Sequence, residues 1–108
     1  MIIKMFELVG DFGEDKDAAA QLRDTKIKPR VGAKKSIILD FAGVTLVTQS
    51  FIHALISDVL RTNGEDALGF MEFRNCVEVV RGIISTVVQY SLETITDAPS
   101  VTGGENAA

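Results

Sequence analysis

The stretch Ile37-Ile38-Leu39-Asp40-Phe41-Ala42-Gly43-Val44-Thr45-Leu46-Val47-Thr48-Gln49-Ser50-Phe51-Ile52 decides the fold. It opens with Ile, Ile and Leu in a run without alternation, the pattern of a strand covered on both faces. A short loop follows, and Thr48 or Gln49 then starts a helix. Ile52, Leu55, Ile56, Val59 and Leu60 share one face at helical spacing, while Ser57, Asp58 and Arg61 fall elsewhere. Asn63-Gly64 ends this helix, the glycine supplying the left-handed residue after the last turn.

Upstream, Ile2 to Val9 alternates loosely and stops at Gly10, which predicts a first strand. Asp11 to Asp17 is polar and turn-like. Good helix formers follow from Ala18, with acids before them and Arg23 behind, so a short helix is expected over about 15–24. Lys26 to Lys35 contains Pro29 and Gly32 and reads as a connection. Downstream, Leu68, Phe70 and Glu72 alternate with Met71 and Phe73 in a third strand. Asn75-Cys76-Val77-Glu78 has the form of a capping box, with Asn75 at the cap and Glu78 reaching back. Val79, Val80, Ile83, Ile84, Val87 and Val88 form an apolar stripe, but so many β-branched residues leave 83–90 open between helix and strand. Residues 97–108 have little to bury and are expected to be a disordered tail. Alternating strands and helices imply a small α/β domain over 1–96. Its sheet should be mostly parallel or mixed, of three to four strands, with helices packed on it.

With 108 residues, 46% of them apolar, the chain can bury one modest core without disulfides or metal. No apolar run is long enough to cross a bilayer and the amino end lacks the form of a signal peptide, so a cytoplasmic protein without membrane contact is expected. Cys76 is the sole cysteine, which fits a reducing compartment. The net charge of −4 comes without a basic stripe, which argues against direct nucleic-acid binding. Lys26, Lys28, Arg30, Lys34 and Lys35 read as a solvated basic patch.

Catalytic chemistry finds little support. His53, the only histidine, has no sequence relation to Cys76, so a Cys–His nucleophile is rejected. Gly10-Asp11-Phe12-Gly13 spells a kinase metal-binding loop in a chain that lacks every other kinase signature. No metal or cofactor is expected, and the chain reads as a non-enzyme. Asp40 ends an apolar strand, at the sheet edge where open α/β folds bind ligands. It is either a structural carboxylate accepting loop N–H groups or a sensing residue. Thr48 and Ser50 are helix caps on one reading. On the other they are partner contacts or a phosphorylation point, since a helix start welcomes negative charge.

Leu39-Asp40-Phe41-x-Gly43-Val44, followed after five residues by Ser50-Phe51, resembles the STAS-like domains of uncharacterised function in bacteria and their phages. Those are distant relatives of the anti-sigma factor antagonists. The resemblance covers roughly residues 1–92, with its specific part in 37–56, and Phe73-Arg74-Asn75 also fits. In the antagonists a strand leads to a loop ending Asp-Ser-Ser-Gly, whose second serine is phosphorylated by a kinase-like partner. The resemblance lays Ser50 on that serine, Gln49 on the first serine and Thr48 on the aspartate, while Phe51 replaces the glycine. Phe51 is expected to plug the core and lock the helix, leaving Ser50 as a cap. Both departures weigh for Ser50 as a contact over Ser50 as a phosphorylated residue.

The resemblance implies a non-enzymatic regulatory protein-binding module in signalling, whose partner is a histidine-kinase-type ATPase or anti-sigma-like kinase. A small-ligand domain, taking a nucleotide or lipid, is the alternative. A homodimer through an edge strand is a further expectation.

Overall fold

The computed structural model describes residues 1–96, with side chains through residue 93, so the expected disordered tail lies outside the described residues. From the amino end, β1 (Ile2–Lys4) turns directly into α1 (Met5–Val9), and β2 (Phe12–Gly13) leads to α2. Helix α2 runs on as Lys16–Leu22, a widened π-type turn at Arg23–Ile27, and Lys28–Gly32. Strands β3 (Ile37–Asp40) and β4 (Leu46–Val47) come next. Helix α3 repeats the pattern of α2, as Gln49–Ile52, a widened turn at His53–Ser57, and Asp58–Asn63. A 3-10 stretch, Gly64–Gly69, precedes β5 (Met71–Arg74), and α4 (Glu78–Thr96) follows.

Strands β1, β3 and β5 form an all-parallel sheet in that order. Ile2, Ile38 and Glu72 stand in one row, then Ile3, Leu39 and Phe73, then Lys4, Asp40 and Arg74. A separate ribbon sets Phe12 against Leu46 and Gly13 against Val47, also parallel. The small parallel α/β architecture expected from the alternation of elements is therefore present.

The core lies on one side of the sheet. Ile37, Leu39 and Met71 meet Leu22, Ile27 and Val31 of α2, Leu55, Ile56, Val59 and Leu60 of α3, and Val80, Ile84 and Val87 of α4. Burial of each large aliphatic side chain contributes about 1.5–3 kcal/mol. The other face is bare: Ile2, Lys4, Glu72 and Arg74 are exposed, and Ile38 and Asp40 are half-buried. The reading of β3 as covered on both faces is thus corrected, because α2, α3 and α4 all pack on the Leu39 side.

Four further expectations are corrected. The first strand stops at Lys4, because Met5 is drawn into the core and Met5–Val9 coils as a helix. The connection expected over Lys26–Lys35 is helical as far as Gly32. There the Lys28 N–H bonds back five residues to the Arg23 carbonyl, and this shifted ladder admits Pro29, which has no N–H to give. Ser57, placed on the polar face by regular helical spacing, is buried. The widened turn rotates it inward, where its Oγ accepts a 3.0 Å hydrogen bond from Ser91 of α4. Asn75 does not cap α4; it takes a left-handed conformation (φ 59°) and its amide reaches Asp40. Residues 83–90, left open by propensity, are helical, since Val80, Ile84, Val87 and Ser91 align along one buried line.

Candidate functional site

Strand β4 sends Val47 into the core and hands the chain to α3 at Thr48. Thr48 is extended (φ −88°, ψ 155°) and its N–H donates to the Gly13 carbonyl at 2.9 Å. Its Oγ1 accepts from the Phe51 N–H at 3.0 Å, which satisfies one of the free donors of the first turn. Thr48 is therefore the cap. Ser50 is not: it is the second residue of the helix, exposed, and its hydroxyl has no partner among the described residues.

Phe51 is fully buried, as the sequence suggested. The β2–β4 ribbon closes over it, and Gly13 lies against its ring. A methyl group on Gly13 would stand 3.2 Å from Phe51 Cε2 and 3.1 Å from Val47 Cγ1. The ring thus holds ribbon and helix start in fixed relation.

Ser50 opens onto a surface groove of about 740 Å³ lined by Lys16, Gln49, Ser50, His53, Ala54 and Tyr90. Three helices build it: the start of α2, the first turns of α3 and the far end of α4. On the ribbon side of Thr48, Phe12 and Leu46 stand directly opposite one another and remain 38% and 43% exposed. An apolar pair and a polar groove therefore flank the helix start. The groove wall is braced from behind, where the Arg23 guanidinium donates to the Ala54 carbonyl at 3.1 Å and Lys28 pairs with Asp58 at 2.8 Å.

Asp40 and Gly43 lie on the approach to this site and do not line the groove. Asp40 Oδ1 accepts from the Asn75 amide at 3.0 Å and from the Ala42 N–H at 3.0 Å, tying the end of β3 to the end of β5. Those two donors hold its carboxyl below the usual carboxylate range, with Arg74 and Lys4 adding to the effect. Gly43 takes φ +88°, and a Cβ there would come 2.9 Å from Phe6 Cδ1, so both conformation and space require glycine. The pair shapes the turn that delivers Thr48.

Other candidates separate. Cys76 is half-buried before α4 begins, and burial pushes its thiol up, while His53 sits in the groove. Among the described residues no group of three His, Cys, Asp or Glu side chains gathers to hold a metal. The basic patch is partly engaged: Lys28 pairs with Asp58, and Arg30 Nε donates to the Ser36 carbonyl at 2.8 Å. Lys16, His53, Tyr90, Phe12 and Leu46 were not singled out as site residues from the sequence. His53 follows Ser50 by one helical turn and Leu46 precedes it by four residues, whereas Phe12, Lys16 and Tyr90 are brought there only by the pairing of β2 with β4 and the packing of α2 and α4.

The model of the STAS-like domain of unknown function (DUF4325) matches residues 18–81, and the chain belongs to this family. The match spans α2 through the first turn of α4 and includes Thr48, Ser50 and Phe51. No curated protein and no solved structure matches the chain. Among the described residues, no helix is long and apolar enough to cross a membrane.

Proposed function

We propose that this STAS-like chain is a non-enzymatic regulatory module that binds a protein partner through the surface at the start of α3. The partner is of the histidine-kinase-type ATPase or anti-sigma-like kinase class, and the setting is cytoplasmic signalling in a bacterium or phage. The observation that carries this reading is the division between Thr48 and Ser50: the first caps the helix, and the second is exposed with its hydroxyl unengaged among the described residues. Phe12 and Leu46 supply apolar area of the kind a partner covers, and Lys16 and His53 supply donors across the groove. Resemblance to the anti-sigma factor antagonists, in which the serine at this place is the switch, supports the same surface. Negative charge at Ser50 suits the helix start but alters charge and desolvation at a close contact. Ser50 acts as a contact residue, and phosphorylation there would release the partner.

Where a histidine-kinase-type ATPase is encoded beside this chain's gene, the experiment titrates it calorimetrically with wild-type protein and with Leu46→Asp. Wild type should bind and Leu46→Asp should lose about tenfold or more in affinity, about 1.4 kcal/mol. Equal affinity of the two would overturn this surface. The polar groove beside Ser50 favours a second reading, a nucleotide or lipid-headgroup site. ATP raising the melting temperature of the free protein, without any binding of the ATPase, would replace the first reading by the second.

A further inference from the structure

We infer that β5 pairs edge to edge with β5 of a second copy of this chain, antiparallel and centred on Phe73, to join two three-stranded sheets into one. Strand β5 is an outer strand, and among the described residues no strand lies beyond it. The ladder with β3 shows which backbone groups remain. The Ile37 N–H donates to the Phe70 carbonyl at 2.7 Å and the Phe41 N–H to the Arg74 carbonyl at 2.8 Å. Parallel pairing uses alternate residues of each strand, so Phe70, Glu72 and Arg74 face β3. The N–H and C=O groups of Met71 and Phe73 point to the open edge, a ready template for another strand.

Charge selects the partner and the register. Glu72 and Arg74 both project from the bare face of the sheet. An antiparallel pair centred on Phe73 exchanges two N–H···O bonds between the two Phe73 residues. It also sets each Glu72 directly opposite Arg74 of the other copy. Opposite charges in that position stabilise a pair, and like charges weaken it. Glu72 and Arg74 already pair with each other within one chain, at 2.9 Å. Centring on Glu72 would oppose two carboxylates, and centring on Met71 would add no charge contact between copies. Centring on Phe73 joins both intrachain pairs into one alternating cluster of four charges. The opposite edge, β1, has Lys4 as its one charged residue and cannot complement itself.

Two exposed apolar side chains fit the same arrangement. Leu68 (37% exposed) precedes β5 and Val77 (46% exposed) follows it. Antiparallel pairing brings the Leu68 end of one copy beside the Val77 end of the other, twice, as a closed two-fold contact requires. The half-buried Phe73 rings meet on the core side. So short a strand covers less area than a standard stable interface, so the dimer is weak and reversible.

Sedimentation equilibrium from about 10 μM to 1 mM tests this, over the concentration range where weak association of this kind is read. Wild type should show a monomer–dimer equilibrium. Glu72→Arg and Arg74→Glu each set like charges opposite one another and should weaken dimerisation about tenfold or more. The double variant Glu72→Arg/Arg74→Glu restores both pairs and should dimerise as wild type does. Both side chains are exposed, so circular dichroism should show all four proteins folded. Wild type monomeric throughout, single variants associating like wild type, or a double variant that fails to recover would each overturn the pairing.

Discussion

Replacing Thr48 by Ala should destabilise this protein, whereas replacing Ser50 by Ala should not. In Thr48→Ala the Phe51 N–H loses its 3.0 Å acceptor, and Thr48 is half-buried, so water replaces the hydroxyl imperfectly. Cap removal costs about 0.5–2 kcal/mol, and partial burial of the orphaned donor places the expectation at about 1–2 kcal/mol. For a domain of this size each kcal/mol lowers the melting temperature by about 4–8 °C. Ser50→Ala removes a solvent-exposed hydroxyl that has no partner among the described residues and should change stability by less than about 0.5 kcal/mol. Thr48→Ser keeps the oxygen and should stay close to wild type. Urea unfolding followed by far-ultraviolet circular dichroism reads all three. A neutral Thr48→Ala together with a Ser50→Ala loss above about 1 kcal/mol would refute the assignment and return the cap to Ser50.

Phe51→Ala should cost about 3–5 kcal/mol, and Gly13→Ala about 1–3 kcal/mol by crowding the ring. In the double variant the new methyl enters the vacated space, so the costs should not add; additive losses would show that ribbon and ring are independent. Leu39→Ala should cost about 2–5 kcal/mol and Ile38→Ala less than about 1.5 kcal/mol, since only Leu39 faces the core. Equal losses in urea would mean that both faces of β3 are covered. Asp40 has its folded pKa depressed, so its stabilisation is present above the unfolded value near 3.9 and is lost as pH falls through the folded value. The gap in melting temperature between wild type and Asp40→Asn should accordingly be open at pH 7 and close in acid, as pH falls through the depressed folded value. A gap that persists there would contradict a charge effect.

The sequence made the central strand and its helix legible because both are strongly patterned: Ile37 to Asp40 by continuous apolarity, Ile52 to Leu60 by helical spacing. What it concealed were consequences of packing direction. Ile38 looks as apolar as Leu39, and nothing local says that all the helices lie on one side of the sheet. The widened turns are not legible in the sequence either, because they break the regular period by which helical faces are read. One of them carries α2 past Pro29, and the other turns Ser57 inward toward Ser91. At the site, the hydroxyls at the start of α3 were visible, but which of the two caps was decided by the extended backbone at Thr48. The groove partners Lys16 and Tyr90 are separated from Ser50 by tens of residues, and only the tertiary fold joins them.

On the proposed reading, Ser50 is a contact whose charge governs binding while the fold tolerates either form. Its most direct test is calorimetric titration of the kinase-type ATPase with Ser50→Ala and Ser50→Asp side by side, after circular dichroism has shown both variants folded. Ser50→Ala should bind as wild type does, and Ser50→Asp should bind about tenfold or more weakly. Equal affinity of the two variants would contradict it.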